Sequence, residues 1–335
     1  MACLPMARTR GTDRQFILKA WTMKIYHHIP EHKDLFVNPV VTIGNFDGVH
    51  IGHRKILSAL LKKAREKSGD PVVITFSSHP RKVLNPEHPI RIITTSDEKV
   101  NAIYNFGIPN IILLNFTRQM AEMHAIDFYN EILIGKLDAK YLVIGYDHAF
   151  GKNREGNFDF LAELASSTGV EITRIEEEDR YEHPVSSTWI RNEIETGNIT
   201  TANKLLGWRY TLTGAVVEGK GRGRQLGFPT ANIHPLHHEK IIPGDGVYAV
   251  RVFFEDGTKK NGMLNIGHNP TFSGETRTIE ANIFDFNEMI YDAIITLEFH
   301  ERIRGEIKFN SKEELIRQLD KDRSSIMELL KHHHD

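Results

Sequence analysis

Cysteine is almost missing from this chain: one residue, Cys3, among 335 excludes an intrachain disulfide and any cysteine-rich zinc site. A reducing, cytoplasmic setting fits that usage. No apolar run approaches the ~20 residues needed to cross a bilayer, which excludes an integral helical membrane protein. A surplus of one charge is absent too, since 42 Lys and Arg against 44 Asp and Glu leave a net −2. So neutral a chain lacks the basic field that sequence-independent binding to nucleic acid requires, although a local patch escapes this count. No internal repeat or low-complexity tract is present. What is present is an ordinary globular composition, 40% apolar and 26% charged, in a length that favours two cored domains of roughly 100–200 residues each.

Residues 1–22 set Arg8, Arg10, Arg14 and Lys19 against Asp13 alone, without the apolar stretch of a secretory signal, and are expected to be a disordered extension. Met23 opens a cleaner pattern. Short apolar strands are predicted at residues 40–43, 71–76, 110–115 and 141–145, alternating with helices around 53–67, 96–106, 119–134 and 157–168. That alternation implies a parallel sheet covered on both faces, with ligands at the strand C-terminal ends. Two short helical pieces, Asn192–Thr196 and Thr201–Leu206, follow. The pattern then becomes β-rich, with strands expected at 210–217, 246–254, 279–284 and 293–299 in a small barrel. Ser311-Lys-Glu-Glu314 is a capping box opening a last amphipathic helix that would cover it. The organisation expected is an α/β domain over 23–191, a linker over 192–208 and a β-barrel domain over 209–331.

Chemistry concentrates first in Gly44-Asn45-Phe46-Asp47-Gly48-Val49-His50-Ile51-Gly52-His53, a strand end, a turn and a helix start. Two imidazoles three residues apart share a helical face beside unpaired backbone N–H groups, which attract phosphate. Gly52 permits close approach of an adenine or ribose to the backbone. This His-x-Gly-His element is shared by nucleotidyltransferases and class I aminoacyl-tRNA synthetases, but the Lys-Met-Ser-Lys-Ser-like loop of a synthetase is not seen. Downstream, Val185-Ser186-Ser187-Thr188-Trp189-Ile190-Arg191 offers hydroxyls and an Arg at a helix start to a leaving pyrophosphate. With Thr75-Phe-Ser-Ser-His79-Pro80 and Gly145-Tyr-Asp147-His-Ala-Phe-Gly151-Lys152, these motifs resemble the FMN adenylyltransferase module of bacterial bifunctional riboflavin kinase/FAD synthetases. Ser78 stands where that family commonly has Pro.

In the second half, Gly214–Gly221 comes near a Walker A loop, yet Gly221 replaces its hydroxyl residue and Ala215-Val-Val217 reads as strand. The stretch Gly219-Lys-Gly221-Arg222-Gly223-Arg224 is a charged Gly/Arg loop suited to phosphates or, taken alone, to RNA. It leads to Pro229-Thr230-Ala231-Asn232, whose two oxygen side chains suit Mg²⁺. The Pro-Thr-Ala-Asn string, Pro243–Ala249, Asn269–Phe272 and Arg277-Thr-Ile-Glu280 resemble the riboflavin kinases. One departure is Asp292, where the family often has Gly.

The resemblance covers about residues 23–330 and implies a nucleotidyltransferase-type Rossmann-like domain joined to a riboflavin-kinase-type barrel. It further implies that riboflavin and ATP give FMN, and that FMN and a second ATP give FAD and pyrophosphate, with Mg²⁺ at both steps. His50 and His53 would stabilise charge on the α-phosphate, and Glu280 would take the proton of the ribityl 5′-hydroxyl. ATP would meet Asn45, Phe46, Asp47, Gly48, Gly52, Ser186, Ser187, Thr188 and Arg191 in one domain, and Gly219, Gly221, Arg222 and Gly223 in the other. Asp147 and Arg304 would contact flavin, and Thr230 and Asn232 would hold the metal. No nucleic-acid, membrane or obligate protein partner is implied. Two alternatives stand beside it: a kinase with a decayed adenylyltransferase domain, against which intact His50, His53 and Arg191 argue, and a flavin-binding regulator without turnover.

Overall fold

The computed structural model describes residues 22–88, 90–176, 183–219, 223, 227–271 and 274–331. The N-terminal extension apart from Thr22, and residues 220–222 and 224–226 of the Gly/Arg loop, lie outside these. The first module is a six-stranded parallel sheet of β1 (Lys24–Tyr26), β2 (Val40–Ile43), β3 (Pro71–Phe76), β4 (Asn110–Leu114), β5 (Tyr141–Gly145) and β6 (Glu171–Ile175). Its order is β1-β4-β3-β2-β5-β6. The run Val-Val-Thr-Ile of β2 is buried throughout because neighbouring residues face opposite, equally covered sides. Val40 packs with Leu57, Leu60 and Ile103 of the helices Ile51–Glu66 and Ser96–Asn105, while Val41 packs with Phe128, Tyr129 and Leu161 on the other side. Strand order reverses at β2, between β3 and β5, so a crevice opens beyond its C-terminal end.

Two edge strands, β1 and β6, were not expected from the pattern. Lys-Ile-Tyr and Glu-Ile-Thr-Arg-Ile are partly exposed and carry polar residues, which dilutes the apolar signature of a buried strand. The single helix expected over 119–134 is broken into Arg118–Glu122, Ala125–Asp127 and a wide π-type turn over Phe128–Lys136. The break falls where Glu155 Oε1 accepts the Ala125 N–H (2.8 Å) and faces His124 Nδ1 (2.9 Å).

The second module is a closed antiparallel barrel of β7 (Thr211–Val217), β8 (Ala231–Pro235), β9 (Gly246–Phe254), β10 (Lys259–Thr271), β11 (Gly274–Ile283) and β12 (Ile294–Arg304), in the order β10-β11-β8-β7-β12-β9. Tyr248, Val250 and Val252 of β9 fill the interior. Val247 and Ala249 point outward beneath Ile326 and Leu330 of the final helix, Lys312–Lys331. Its expected cap forms, with Ser311 Oγ accepting the Glu314 N–H at 3.2 Å. Asp292 adopts φ +65°, so this turn enters the left-handed region without glycine.

Between the modules run the helices Ser187–Glu195 and Ile199–Leu206. The first starts at Ser187 and not at Asn192, because Ser186 Oγ caps it by accepting the Trp189 N–H (3.2 Å). The second buries Ile199, Ala202, Leu205 and Leu206 in one core with Ile190 of the first helix, Ile93 of the sheet module and Leu212 and Tyr248 of the barrel.

Candidate active sites

The turn after β2 passes through Phe46 (φ +51°), Gly48 (φ +84°) and Val49 (φ +39°), a run of left-handed residues that needs external support. Asp47 supplies it. Its buried carboxylate accepts the Thr94 N–H (2.9 Å), the Thr94 hydroxyl (3.1 Å) and the Ile93 N–H (3.1 Å), and pairs with Arg191 Nη2 at 2.6 Å. Burial alone would raise its pKa, but the Arg191 charge and the amide donors of Thr94 and Ile93 hold it below the usual carboxylate value. The Phe46 ring turns into the core and meets His53 edge-on at 5.1 Å. Gly48 N–H donates to Thr94 Oγ1 at 2.9 Å.

His50 caps the helix Ile51–Glu66, its Nδ1 accepting the His53 N–H at 3.4 Å. The ring proton of the neutral form is therefore on Nε2. The two imidazoles stack with centroids 3.6 Å apart, and His53 Nδ1 is buried without a hydrogen-bond partner among the described residues. A cavity of about 140 Å³ is lined by His50, Gly52, His53, Asp147, Ser186 and Ser187, drawn from the ends of β2 and β5 and from the start of the Ser187–Glu195 helix. Six residues singled out from three separate motifs thus share one cleft. Ser187 Oγ donates to the Asp47 carbonyl (3.0 Å), Thr188 is exposed, and the Asp147 carbonyl accepts from Arg154 Nη2 (3.0 Å). Arg191 is buried behind the loop, its Nε donating to Arg91 O (2.9 Å) and its Nη2 lying 3.3 Å from His79 Nε2.

Lys99 was not singled out by the sequence. It is buried on the helix Ser96–Asn105, where its ammonium donates to Asn45 O (3.0 Å) and Phe76 O (2.6 Å) and ties together the loops after β2 and β3. Burial pushes it down to about 8, against the pull of Asp47. The only sequence signal is position, one residue after the Glu98 of a capping box with Thr95.

Burial also holds His50, His79 and His148 each down at about 4, so all three are neutral at pH 7. The unfolded chain protonates them near the ordinary value of 6.5 while the folded chain does not. Their contribution to stability is therefore complete above that value and is lost as pH falls from it toward 4, with a slope of up to about 1.4 kcal/mol per pH unit for each. Urea midpoints at pH 7, 5.5 and 4.5 are expected to fall in that order. His148→Phe, which removes a buried Nε2 without a partner among the described residues, should make the fall shallower.

In the barrel, Asn232 and Glu280 are register partners across β8 and β11. Thr230 Oγ1 donates to Glu280 Oε2 and Thr278 Oγ1 to Glu280 Oε1, both at 3.3 Å. Gly219 and Gly223 lie directly on this group: a Cβ at Gly219 would sit 1.8 Å from Asn232 Nδ2, and one at Gly223 would sit 2.3 Å from Phe228 O and 3.2 Å from Thr230 Oγ1. Gly221 and Arg222 lie outside the described residues. Beside Thr230 opens a cavity of about 340 Å³, walled by Val216, Ala281, Phe286 and Ile290. Among the described residues no three His, Cys, Asp or Glu side chains cluster as a metal cage. A hydroxyl, an amide oxygen and a carboxylate beneath Gly219 and Gly223, two positions that admit no side chain, instead suit a hard cation bound largely by phosphate and water. Arg304 faces the final helix, its Nε donating to the buried Asp322 at 2.8 Å.

Comparison with known proteins follows the same division. The family model of FAD synthetase matches residues 33–189 and that of riboflavin kinase matches residues 206–330. The bifunctional riboflavin kinase/FMN adenylyltransferase of Bacillus subtilis (strain 168) is 38% identical over 312 residues, covering 90% of this chain and 96% of its own. That of Haemophilus influenzae is 37% identical, over 84% of this chain and 91% of its own, and that of Escherichia coli K12 is 33% identical, over 84% and 90%. A solved structure described as a macrolide-efflux protein from Streptococcus pneumoniae superposes with a TM-score of 0.80 at 33% identity, covering 89% of this chain and 97% of that one. Efflux is said of that protein alone; among the described residues here, no helix is long and apolar enough to cross a membrane. With two family models in tandem and relatives above 30% identity along nearly their whole length, the chain belongs to the bifunctional riboflavin kinase/FMN adenylyltransferase family.

Proposed function

We propose that the two clefts divide two transfers between them, the barrel phosphorylating riboflavin to FMN and the sheet module joining FMN to AMP. In the first, the ribityl 5′-oxygen attacks the γ-phosphorus of ATP, ADP leaves, and Glu280 takes the hydroxyl proton. Thr230 and Asn232 would hold Mg²⁺ together with ATP phosphates, and Gly219, Gly221, Arg222 and Gly223 would cover those phosphates. Mg²⁺, when bound, supplies charge neutralisation at the transferring group. In the second transfer, an FMN phosphate oxygen attacks the α-phosphorus of ATP and pyrophosphate leaves, so no general base is needed. His50 and His53 meet the charge at the α-phosphate. The Asn45–Gly48 turn, Gly52 and the hydroxyls of Ser186, Ser187 and Thr188 cradle the nucleotide, and Asp147 faces the flavin. Arg191 acts from behind through Asp47, and Arg304 steadies the flavin side of the barrel. Both reactions are assigned to the cytoplasm, and neither calls on a nucleic-acid or obligate protein partner.

The observation that carries this reading is the convergence of His50, Gly52, His53, Asp147, Ser186 and Ser187 on one cavity. Chromatography of the products from riboflavin, ATP and Mg²⁺ tests both transfers. FMN followed by FAD is expected, and flavin binding without turnover would overturn the reading.

Gly52 offers a finer test. A Cβ there would come within 3.3 Å of the His50 ring and 3.5 Å of Val185 O, so the ring must shift by a few tenths of an ångström. Gly52→Ala is expected to slow FAD formation about tenfold, as small misplacements of reacting groups do, with FMN formation unchanged. Separate initial rates from FMN and from riboflavin check it.

A further inference from the structure

Residues 91–99 run between the two modules and are gripped from both sides. On the barrel side, Arg91 Nη1 donates to His238 O (3.1 Å), Ile92 N–H to Glu239 O (2.9 Å), and Ile241 N–H to Ile92 O (3.1 Å). The Lys240 ammonium, only 2% exposed, pairs with the Glu98 carboxylate and lies 5.1 Å from the centre of the Tyr210 ring. Tyr210 in turn donates its hydroxyl to Ile241 O at 2.6 Å. On the other side, this stretch holds the parts of the sheet-module cleft. Ile93 and Thr94 bind the Asp47 carboxylate, Arg91 O accepts Arg191 Nε, and Lys99 holds Asn45 O and Phe76 O. A cavity of about 210 Å³ lies against the stretch, lined by Asn45, Asp47 and Lys99 from one module and by His237 and Glu239 from the other.

Glu98 is the joint between the two grips. Its Oε2 also accepts the Thr95 N–H (2.9 Å) and its own N–H donates to Thr95 Oγ1 (3.2 Å), so one carboxylate fixes both the start of the helix that carries Lys99 and the link to the barrel. A buried ammonium must keep its partner, which makes Lys240 a stringent setter of register.

We propose that the barrel's segment 237–241 completes the adenylyltransferase site, with Lys240 a positioning residue for FAD formation that acts through Glu98. The proposal rests on the assignment of FMN adenylylation to the sheet-module cleft. In the full-length enzyme, Lys240→Met is expected to lower kcat for FAD formation from FMN and ATP about tenfold, with KM for ATP changed less than about threefold, because the transferring groups are displaced more than the nucleotide is released. FMN formation from riboflavin should stay within about twofold and serves as the internal control of folding. Lys240→Arg should recover most of the lost rate, and Lys240→Met combined with Glu98→Gln should be no slower than Glu98→Gln alone. Glu98→Gln reads the same link from the other side if Lys240→Met does not fold. Unchanged FAD formation in both folded single variants, an equal fall in both reactions, or additive effects in the double variant would each overturn the proposal. A wild-type enzyme that makes no FAD from FMN and ATP would instead overturn the assignment on which it rests.

Discussion

Alanine at His53 is expected to lower FAD formation from FMN and ATP about a thousandfold, close to 4 kcal/mol of transition-state stabilisation, while FMN formation from riboflavin stays within about twofold. The expectation follows from how the imidazole is held. His53 stacks on His50 at 3.6 Å and meets Phe46 edge-on, so its ring is fixed before any nucleotide arrives. Burial comes first in pushing His53 far below its ordinary pKa, with the neighbouring His50 and the Lys99 and Arg191 charges adding to it. Both rings are thus neutral N–H donors in the free enzyme, and an incoming triphosphate supplies the negative charge that favours their protonation. Loss of one such donor typically costs 10²–10³ in rate, and His53→Ala also removes the surface against which His50 is oriented. His53→Asn, which keeps a donor of shorter reach, should fall between wild type and alanine. Stopped assays of FAD with each substrate supplied separately measure all three.

Glu280→Ala is expected to give the opposite pattern: FMN formation falls about a thousandfold, within the usual range for loss of a general base, and FAD formation from supplied FMN is unchanged. The carboxylate is oriented on both oxygens, by Thr230 and by Thr278, and stands opposite Asn232 in the strand register. That places the proposed base beside the proposed metal-binding side chains, at the spot over which the Gly219 and Gly223 backbone closes. Glu280→Gln keeps the shape and one accepting oxygen, lets its amide donate to the other threonine hydroxyl, and removes the base. Its rate should match that of alanine if proton transfer is the role, and exceed it greatly if the side chain merely braces Thr230. The two variants together therefore read chemistry separately from packing.

Legibility in the sequence followed how local each constraint is. The strand, turn and helix around His50 could be read because its residues meet within a few positions, as in the His50 cap of the His53 N–H. In the barrel, Thr230 and Asn232 stand out as two oxygen side chains two apart, whereas Glu280 was singled out only through the family resemblance, because its partner Asn232 lies 48 positions away. Partners distant in the chain could not be read. Asp47 and Arg191 were each singled out, but nothing in their neighbourhoods says that they pair across 144 positions. Lys99 and Lys240 look like solvated lysines in sequence, and only tertiary packing buries them, one against Phe76 O and the other against Glu98. The ion pair between Arg304 and Asp322 of the covering helix, 18 positions apart, was equally hidden in the sequence. The edge strands β1 and β6 escaped because their half-exposed sequences lack the continuous apolar run that marked β2 to β5.

The sharpest measurement is a chromatographic product assay of folded His53→Ala and Glu280→Ala enzymes, each supplied with ATP and Mg²⁺ and either riboflavin or FMN. His53→Ala should convert riboflavin to FMN and stop there, whereas Glu280→Ala should leave riboflavin untouched and convert FMN to FAD. If either folded variant lost both reactions, or kept both at the wild-type rate, the division of the two transfers between two separate clefts would be wrong.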